Sequence, residues 1–290
     1  MQNTNEIKYH MSAVAETRKI TSAMNLISSA RLQKVMKHIY YNNEYLSRVQ
    51  SSMKHMLSSP RPVDHSYLKT GVGKRRLYIV VAGDKGMVGS YNSDVLNFAL
   101  KEIEPFDDIM LATIGLVAGD FFRSKGIKPD IEIPGLSQNP TLYNARELMR
   151  EIVDLYSTDE VRSVYFIYTT FTMESASKPV IDRFLPLRIH DYEDIKLSEP
   201  NREILYVPSA TEVFEKLVPQ YLVGIIFGAL VQSHASEHFA RMSAMQSATD
   251  NADELLKKLK LKYNTARQSA ITQEIAEISG SLAADREVWI

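Results

Sequence analysis

Three residues near the end of the chain, His234, Glu237 and His238, spell HxxEH. On a helix the two histidines stand one turn apart on one face, the spacing at which paired imidazoles hold zinc while a neighbouring glutamate acts as base. This is the sharpest enzymatic reading in the chain. No further residue is marked as a third ligand, and paired histidines are also common on ordinary solvated helices. A second candidate is GDKGMVGSYNSD, residues 83–94, in which Gly83, Gly86 and Gly89 follow an apolar run and precede an amphipathic one. Backbone amides at such a place could cradle a phosphate. Yet GxxGxxG matches neither the dinucleotide fingerprint nor the P-loop, and a tight strand-to-helix turn explains the glycines equally well. A third feature is charge. Lys8, Arg18, Lys19, Arg31, Lys34 and Lys37 outnumber Glu6 and Glu16 in the first segment, giving either a solvated face or a surface complementary to an acidic partner. A nucleic-acid arm is the weaker reading, because aromatic interleaving is sparse.

The elements that would carry these residues fall into three segments. From about residue 5 to 58 there is neither proline nor glycine, and apolar residues recur at three and four spacing (Ile7, Met11, Val14; Ile20, Met24, Ile27; Leu46, Val49, Met53, Met56). That pattern predicts one helix with a coiled-coil seam, roughly 80 Å long at about 1.5 Å per residue, stopped by Pro60 and Pro62. Residues 75–208 change character. Strands are expected at 76–82, 108–115, 128–133, 164–172 and 203–208, with helices at 92–104, 116–125 and 141–157, an order that predicts a layered α/β domain with a largely parallel sheet. The stretch 178–202, with Pro179, Pro186 and Pro200, reads as irregular. Residues 209–290 return to helical pattern, broken only by Pro219, and Ala240, Ala244, Ala248 and Ala252 form a small-residue stripe that admits a close neighbouring helix. The expected architecture is therefore a pair of long antiparallel helices, 1–60 and 209–290, joined through a compact α/β insert; two separate helices wrapped around that insert are the plainer alternative.

Composition limits the partners. With 34 basic against 35 acidic residues the net charge is −1, so bulk electrostatics favour neither nucleic acid nor an anionic membrane. There are no cysteines, which excludes disulfides, thiolate zinc sites and thiol catalysis. The N-terminus MQNTNEIKYH has neither a signal-peptide core nor an arginine-rich transit pattern, and the most apolar run, YLVGIIFGALV at 221–231, is shorter than a bilayer span. The expectation is a cytoplasmic chain beginning near Met1 with no transmembrane segment of its own.

ETRKITSAMNLISSARLQK (16–34) resembles the N-terminal signature of F-type ATP synthase gamma subunits. SEHFARMSAMQSATDNADELL (236–256) and YNTARQSAITQEIAEI (263–278) resemble their C-terminal one. GDKGMVGSYNSD falls where that family carries a GLCGGLN-type segment, so the likeness runs in order along the whole chain. It departs from the family at Ser22, Val88, Ser90 and Val207. The resemblance implies a Rossmann-like α/β foot and a helical shaft. It also implies a non-catalytic rotor role without a cofactor: transmitting rotation of a membrane c-ring to the alpha and beta subunits, with ATP synthesis reversibly coupled to proton transport. By the same resemblance Met24, Arg241, Arg267, Gln268, Thr272 and Glu274 stand at beta-subunit contact positions, and Tyr206 and Asn92 at foot positions facing an epsilon subunit or the c-ring. The implied location is the cytoplasmic face of the plasma membrane. The rival of another class is a stand-alone α/β nucleotide-binding or HxxEH zinc enzyme with helical arms.

Overall fold

The computed structural model describes residues 4–57, 63, 65–158, 160–172, 177–192 and 205–287. Helix α1 runs Thr4–Leu57, as expected for a proline- and glycine-free segment. Then follow β1 (Arg75–Val81), α2 (Tyr91–Ile103), β2 (Ile109–Ile114), α3 (Leu116–Ser124), β3 (Ile131–Ile133), α4 (Leu142–Ser157), β4 (Val161–Thr170) and β5 (Lys178–Leu185). Helix α5 occupies Ala210–Glu287 with Pro219 inside it. The chain divides into two compact units: Met1–Ile27 with Met242–Ile290, and Ser28–Arg241.

In the Ser28–Arg241 unit the strands lie in the order β3-β2-β1-β4-β5. The first four are mutually parallel, and β5 is antiparallel to β4. Alternate residues of the central strands supply two cores, as the period of two demands. Tyr78, Val80 and Ala82 pack with Val95, Leu96 and Ala99 of α2 and Phe122 of α3. Leu77, Ile79 and Val81 face the larger core, where Leu148 and Ile152 of α4 meet Val49, Met53 and Met56 of α1 and the start of α5. The α5 contribution, Phe214, Val218, Leu222, Ile226 and Leu230, recurs every fourth residue and is essentially inaccessible. Helix α5 does contain an 18-residue window of mean hydropathy 1.4, more apolar than the sequence reading allowed, and 61% of that window is buried in the protein. Its apolarity is that of a core helix.

Two expectations in the α/β segment need correction. The stretch 178–202 was expected to be irregular, but Lys178–Leu185 is a strand, pairing from Thr170↔Lys178 to Val164↔Leu185. Pro179 and Pro186 concealed it; β5 is an edge strand bonded on one side only, where proline is tolerated. The strand expected at 203–208 is absent from its described part: Leu205–Pro208 is non-strand chain leading into α5, with Leu205 89% exposed. Residues 203 and 204, and 193–202, lie outside the described residues.

In the other unit α1 and α5 run antiparallel. Arg18 pairs with Asp253, Thr21 with Thr249 at 2.8 Å and Asn25 with Gln246 at 2.6 Å, so partners descend along one helix as they ascend along the other. Thr21 and Thr249 are buried, and their mutual hydroxyl bond satisfies both inside the seam. Part of the basic surface anticipated on α1 is thus neutralised within the chain, by Asp253 on Arg18 and Glu16 on Lys19.

One backbone position governs how β2 hands over to α3. Gly115 has φ +96, and a Cβ there would overlap the carbonyl of Ala82. Gly115→Ala is expected to destabilise the protein by about 2–4 kcal/mol, since backbone strain and a close approach act together; chemical denaturation against the parent measures it, and an unchanged midpoint would contradict this role.

Candidate functional site

Strand order reverses beside β1: β2 continues on one side and β4 on the other. Outside the carboxyl ends of these strands lies the crevice where open α/β sheets bind ligands. Here the chain fills that crevice with its own α5. The Ser233 hydroxyl accepts from the amide of Thr169 at the end of β4, and the Ser236 hydroxyl donates to the Thr169 carbonyl, both at 3.4 Å. Arg241 donates to Glu237 at 2.7 Å and to the carbonyl of Gly86 at 3.4 Å. A Cβ on Gly83 would sit 3.1 Å from Asn92 Oδ1 and 3.3 Å from the Glu237 carboxyl carbon. The first glycine of the GxxGxxG run thus makes room for a side chain of the protein. The phosphate-cradle reading is corrected accordingly: the turn receives α5.

The turn is held from within. Asn92, in the first turn of α2, accepts from the Gly83 amide at 2.9 Å and donates to the Lys85 carbonyl at 3.2 Å. Asp84 accepts from the amides of Leu116 and Gly135, each at 3.0 Å, and from the Ser137 hydroxyl at 2.7 Å. Burial disfavours the Asp84 carboxylate, but the Ser137 hydroxyl and the two amides outweigh it and hold its pKa below the usual value. Asp84 thereby ties the β1–α2 turn, the start of α3 and the segment after β3 together.

Glu237, His234 and His238 are 7%, 7% and 4% exposed. Burial raises the pKa of Glu237, while the Arg241 guanidinium opposes that shift. Burial lowers His234 to about 4 and His238 to about 3, with the neighbouring imidazole contributing at His238 and the Arg31 and Arg241 charges at both. His234 Nδ1 donates to the Ser137 carbonyl at 2.8 Å. His238 Nδ1 is buried without a partner, and the two rings meet edge to face with centroids 4.4 Å apart. The zinc reading does not fit this arrangement. The glutamate that would act as base is ion-paired, one imidazole is engaged with a carbonyl, and no group of three or more metal-ligating side chains is assembled among the described residues. These residues pack a helix against a sheet edge. The sequence hides this because HxxEH looks the same on a buried face, although the Glu237–Arg241 spacing of four is a legible sign of an intrahelical pair.

The residues expected at partner contacts are distributed differently. Arg241 belongs to the buried junction, its side chain 11% exposed. Met24 is half-buried on α1. Arg267, Gln268, Thr272 and Glu274 are all exposed on α5. At about 100° per residue, Arg267 and Glu274 share one face, and Gln268 and Thr272 another roughly a third of a turn away. Tyr206 is half-buried against the larger core, and Asn92 is 9% exposed with both ends of its amide engaged.

A family model described as ATP synthase matches residues 3–284. An ATP synthase gamma chain of Ruminiclostridium cellulolyticum is 38% identical over 289 residues, covering 97% of this chain and 98% of that relative. One from Acetivibrio thermocellus is 36% identical over 293 residues, covering 98% and 99%. Among solved structures, the rotor of the Euglena gracilis mitochondrial ATP synthase is similar at TM-score 0.65 and 14% identity, covering 92% of this chain and 98% of that one. The central stalk of the Tetrahymena thermophila enzyme is similar at TM-score 0.60 and 20% identity, covering 79% and 99%.

The polar junction makes stability pH-dependent. Both histidines have folded pKa values far below the unfolded value of about 6.5, so the unfolded chain gains protons that the folded chain refuses. Their contribution is full above about pH 6.5 and is lost progressively as pH falls through the folded values of about 4 and about 3. Urea denaturation across pH 7.5 to 4.5 is expected to show this decline, and His238→Leu, which removes an unpartnered buried nitrogen, to reduce its slope. An equal slope in parent and variant would overturn the assignment.

Proposed function

The chain belongs to the ATP synthase family as a gamma chain, and from that premise we infer how its helices meet their partners. Its role is that of a central rotor shaft, a subunit without catalytic chemistry of its own. The proposed mechanism is mechanical: a shaft that presents different side chains in different directions biases surrounding catalytic subunits towards different conformations, because each is offered a different contact free energy. Turning the shaft exchanges those conformations. Rotation of a membrane ring drives ATP release in one direction, and ATP hydrolysis drives the ring in the other.

The observation that supports this reading is the exposed stretch of α5. Arg267 and Glu274 on one face, and Gln268 and Thr272 on another, offer unlike chemistry to neighbours on different sides. The planar guanidinium of Arg267 suits bidentate engagement of a carboxylate. We assign beta-subunit contact to these four residues and to Met24, and give Arg241 the task of fixing α5 to the β1–α2 turn. At the foot, Tyr206 is assigned to the epsilon subunit or c-ring surface, and Asn92 serves the foot by holding the Gly83–Lys85 turn in shape. The proposed domain division is a shaft of residues 1–60 and 209–290 on a foot of 75–208, with alpha, beta and epsilon subunits and the c-ring as partners. The proposed location is the cytoplasmic face of the plasma membrane, as a peripheral part of the complex.

The test is Arg267→Ala combined with Gln268→Ala in the reconstituted complex. Both positions are exposed, so the chain should fold and assemble normally. Ion-driven ATP synthesis is expected to fall by about fivefold or more, the lower end of usual coupling energies. Synthesis at the parent rate would sink the assignment of these contacts.

A further inference from the structure

Between α1, the start of α4 and α5, the Ser28–Arg241 unit contains a groove of about 880 Å³ that the buried junction does not use. Its volume lies within the range of small-molecule sites. Helix α1 lines it with one face, Lys34, His38, Tyr41 and Tyr45 recurring at three and four spacing, and α4 contributes Arg146 and Arg150 from a single turn. No carboxylate is among the described residues that line it. The partner of Arg150, Glu147, forms an exposed pair at 2.8 Å of the kind that contributes little. Thr141 and Leu142, the cap and first residue of α4, also line the groove, adding the positive end of a 16-residue helix to three cationic side chains.

The groove is polarised along its length. Lys34 and His38 also line an adjoining cavity of about 320 Å³ that includes Arg31, so positive charge concentrates at that end of the α1 face. Tyr45 lies eleven residues further along, roughly 16 Å away at about 1.5 Å per residue. Towards that end the groove is aromatic: Tyr41 is 65% exposed and available to a ligand, and Tyr45 lines the groove beside Gly224 of α5, whereas Phe227 meets the His38 ring at a centroid distance of 6.2 Å. Cations at one end recognise phosphate, and aromatic faces at the other recognise a planar base.

We propose that this groove binds a nucleoside polyphosphate, with its phosphates towards Lys34, Arg146 and Arg150 and its base against Tyr41 and Tyr45. The site is separate from the closed crevice beside β1 and independent of the rotor reading.

Isothermal titration of the full-length chain with ADP, adenosine and tripolyphosphate tests it. ADP is expected to bind with a dissociation constant in the micromolar range, and adenosine and tripolyphosphate each at least about tenfold more weakly, since each keeps only one half of the recognition. Arg146→Gln with Arg150→Gln should weaken ADP by about tenfold or more, Lys34→Gln should weaken it independently, and Tyr41→Ala should weaken ADP while leaving tripolyphosphate unchanged. Arg267→Ala should have no effect. Circular dichroism and the unfolding midpoint establish that each variant is folded. Absence of ADP binding would overturn the proposal, as would tripolyphosphate binding as tightly as ADP, which describes a plain anion or acidic-protein surface. Equal ADP affinity in the folded Arg146/Arg150 and Lys34 variants would overturn it too.

Discussion

The structure depends on one constraint: α5 is a single helix with two unlike duties. Over its first turns it is a core element, with Phe214, Val218, Leu222, Ile226 and Leu230 buried against the sheet. Near its end every residue from Arg267 to Ser279 is exposed. A helix reads as core or surface through its side chains alone, because its backbone satisfies its own hydrogen bonds in either setting. The change of character along α5 is therefore written in composition while the backbone remains continuous, and one helix can belong to a packed domain and still present an exposed surface to other chains.

The junction at Glu237 and Arg241 is where the folded unit fastens that element. A buried carboxylate beside a sheet edge is costly by itself, and removing one member of a buried ion pair leaves an uncompensated charge worth about 3–5 kcal/mol. The Arg241 guanidinium meets both the Glu237 carboxylate and the Gly86 carbonyl, so charge pairing and backbone anchoring come from one side chain. The same contacts close the crevice that the strand order would otherwise leave for a ligand. The fold keeps the topology of a ligand-binding sheet and uses its binding edge to hold a shaft helix. A glycine-rich turn in such a sheet consequently carries no phosphate implication until what fills the crevice is known.

Much of the architecture was legible because it rests on periodicity and breakers. The helix from Thr4 to Leu57, the four parallel strands and the alternation of helices with them follow from spacing, and their observed bounds lie within a few residues of expectation. β5 was not legible: Pro179 and Pro186 signal disruption, and only the tertiary fact that the strand sits at an edge makes them harmless. The junction was half legible. Glu237 and Arg241 stand at a recognisable helical spacing, but no local pattern shows that the face bearing His234 and His238 is buried, since polar residues normally mark the solvated side. Asp84 and Ser137 were missed because they meet across 53 residues of chain through a hydrogen bond that only the fold creates.

Exposed α5 also carries Ile271, Ile275 and Ile278, 43%, 58% and 61% accessible and spaced to share one face. Apolar side chains in a repeating stripe favour removal from water, at roughly 25 cal/mol per Å² of buried surface. They share the helix with Arg267 and Glu274 on one face and Gln268 and Thr272 on another. At about 100° per residue, Ile271, Ile275 and Ile278 project between the Arg267/Glu274 face and the Gln268/Thr272 face. A neighbour that advanced around this helix would meet charge, then hydrocarbon, then amide and hydroxyl, and its contact energy would change at each step. That inequality around the axis is the physical content of a rotor: with a uniform surface, rotation would leave every neighbour's energy unchanged and no work could pass through the contact.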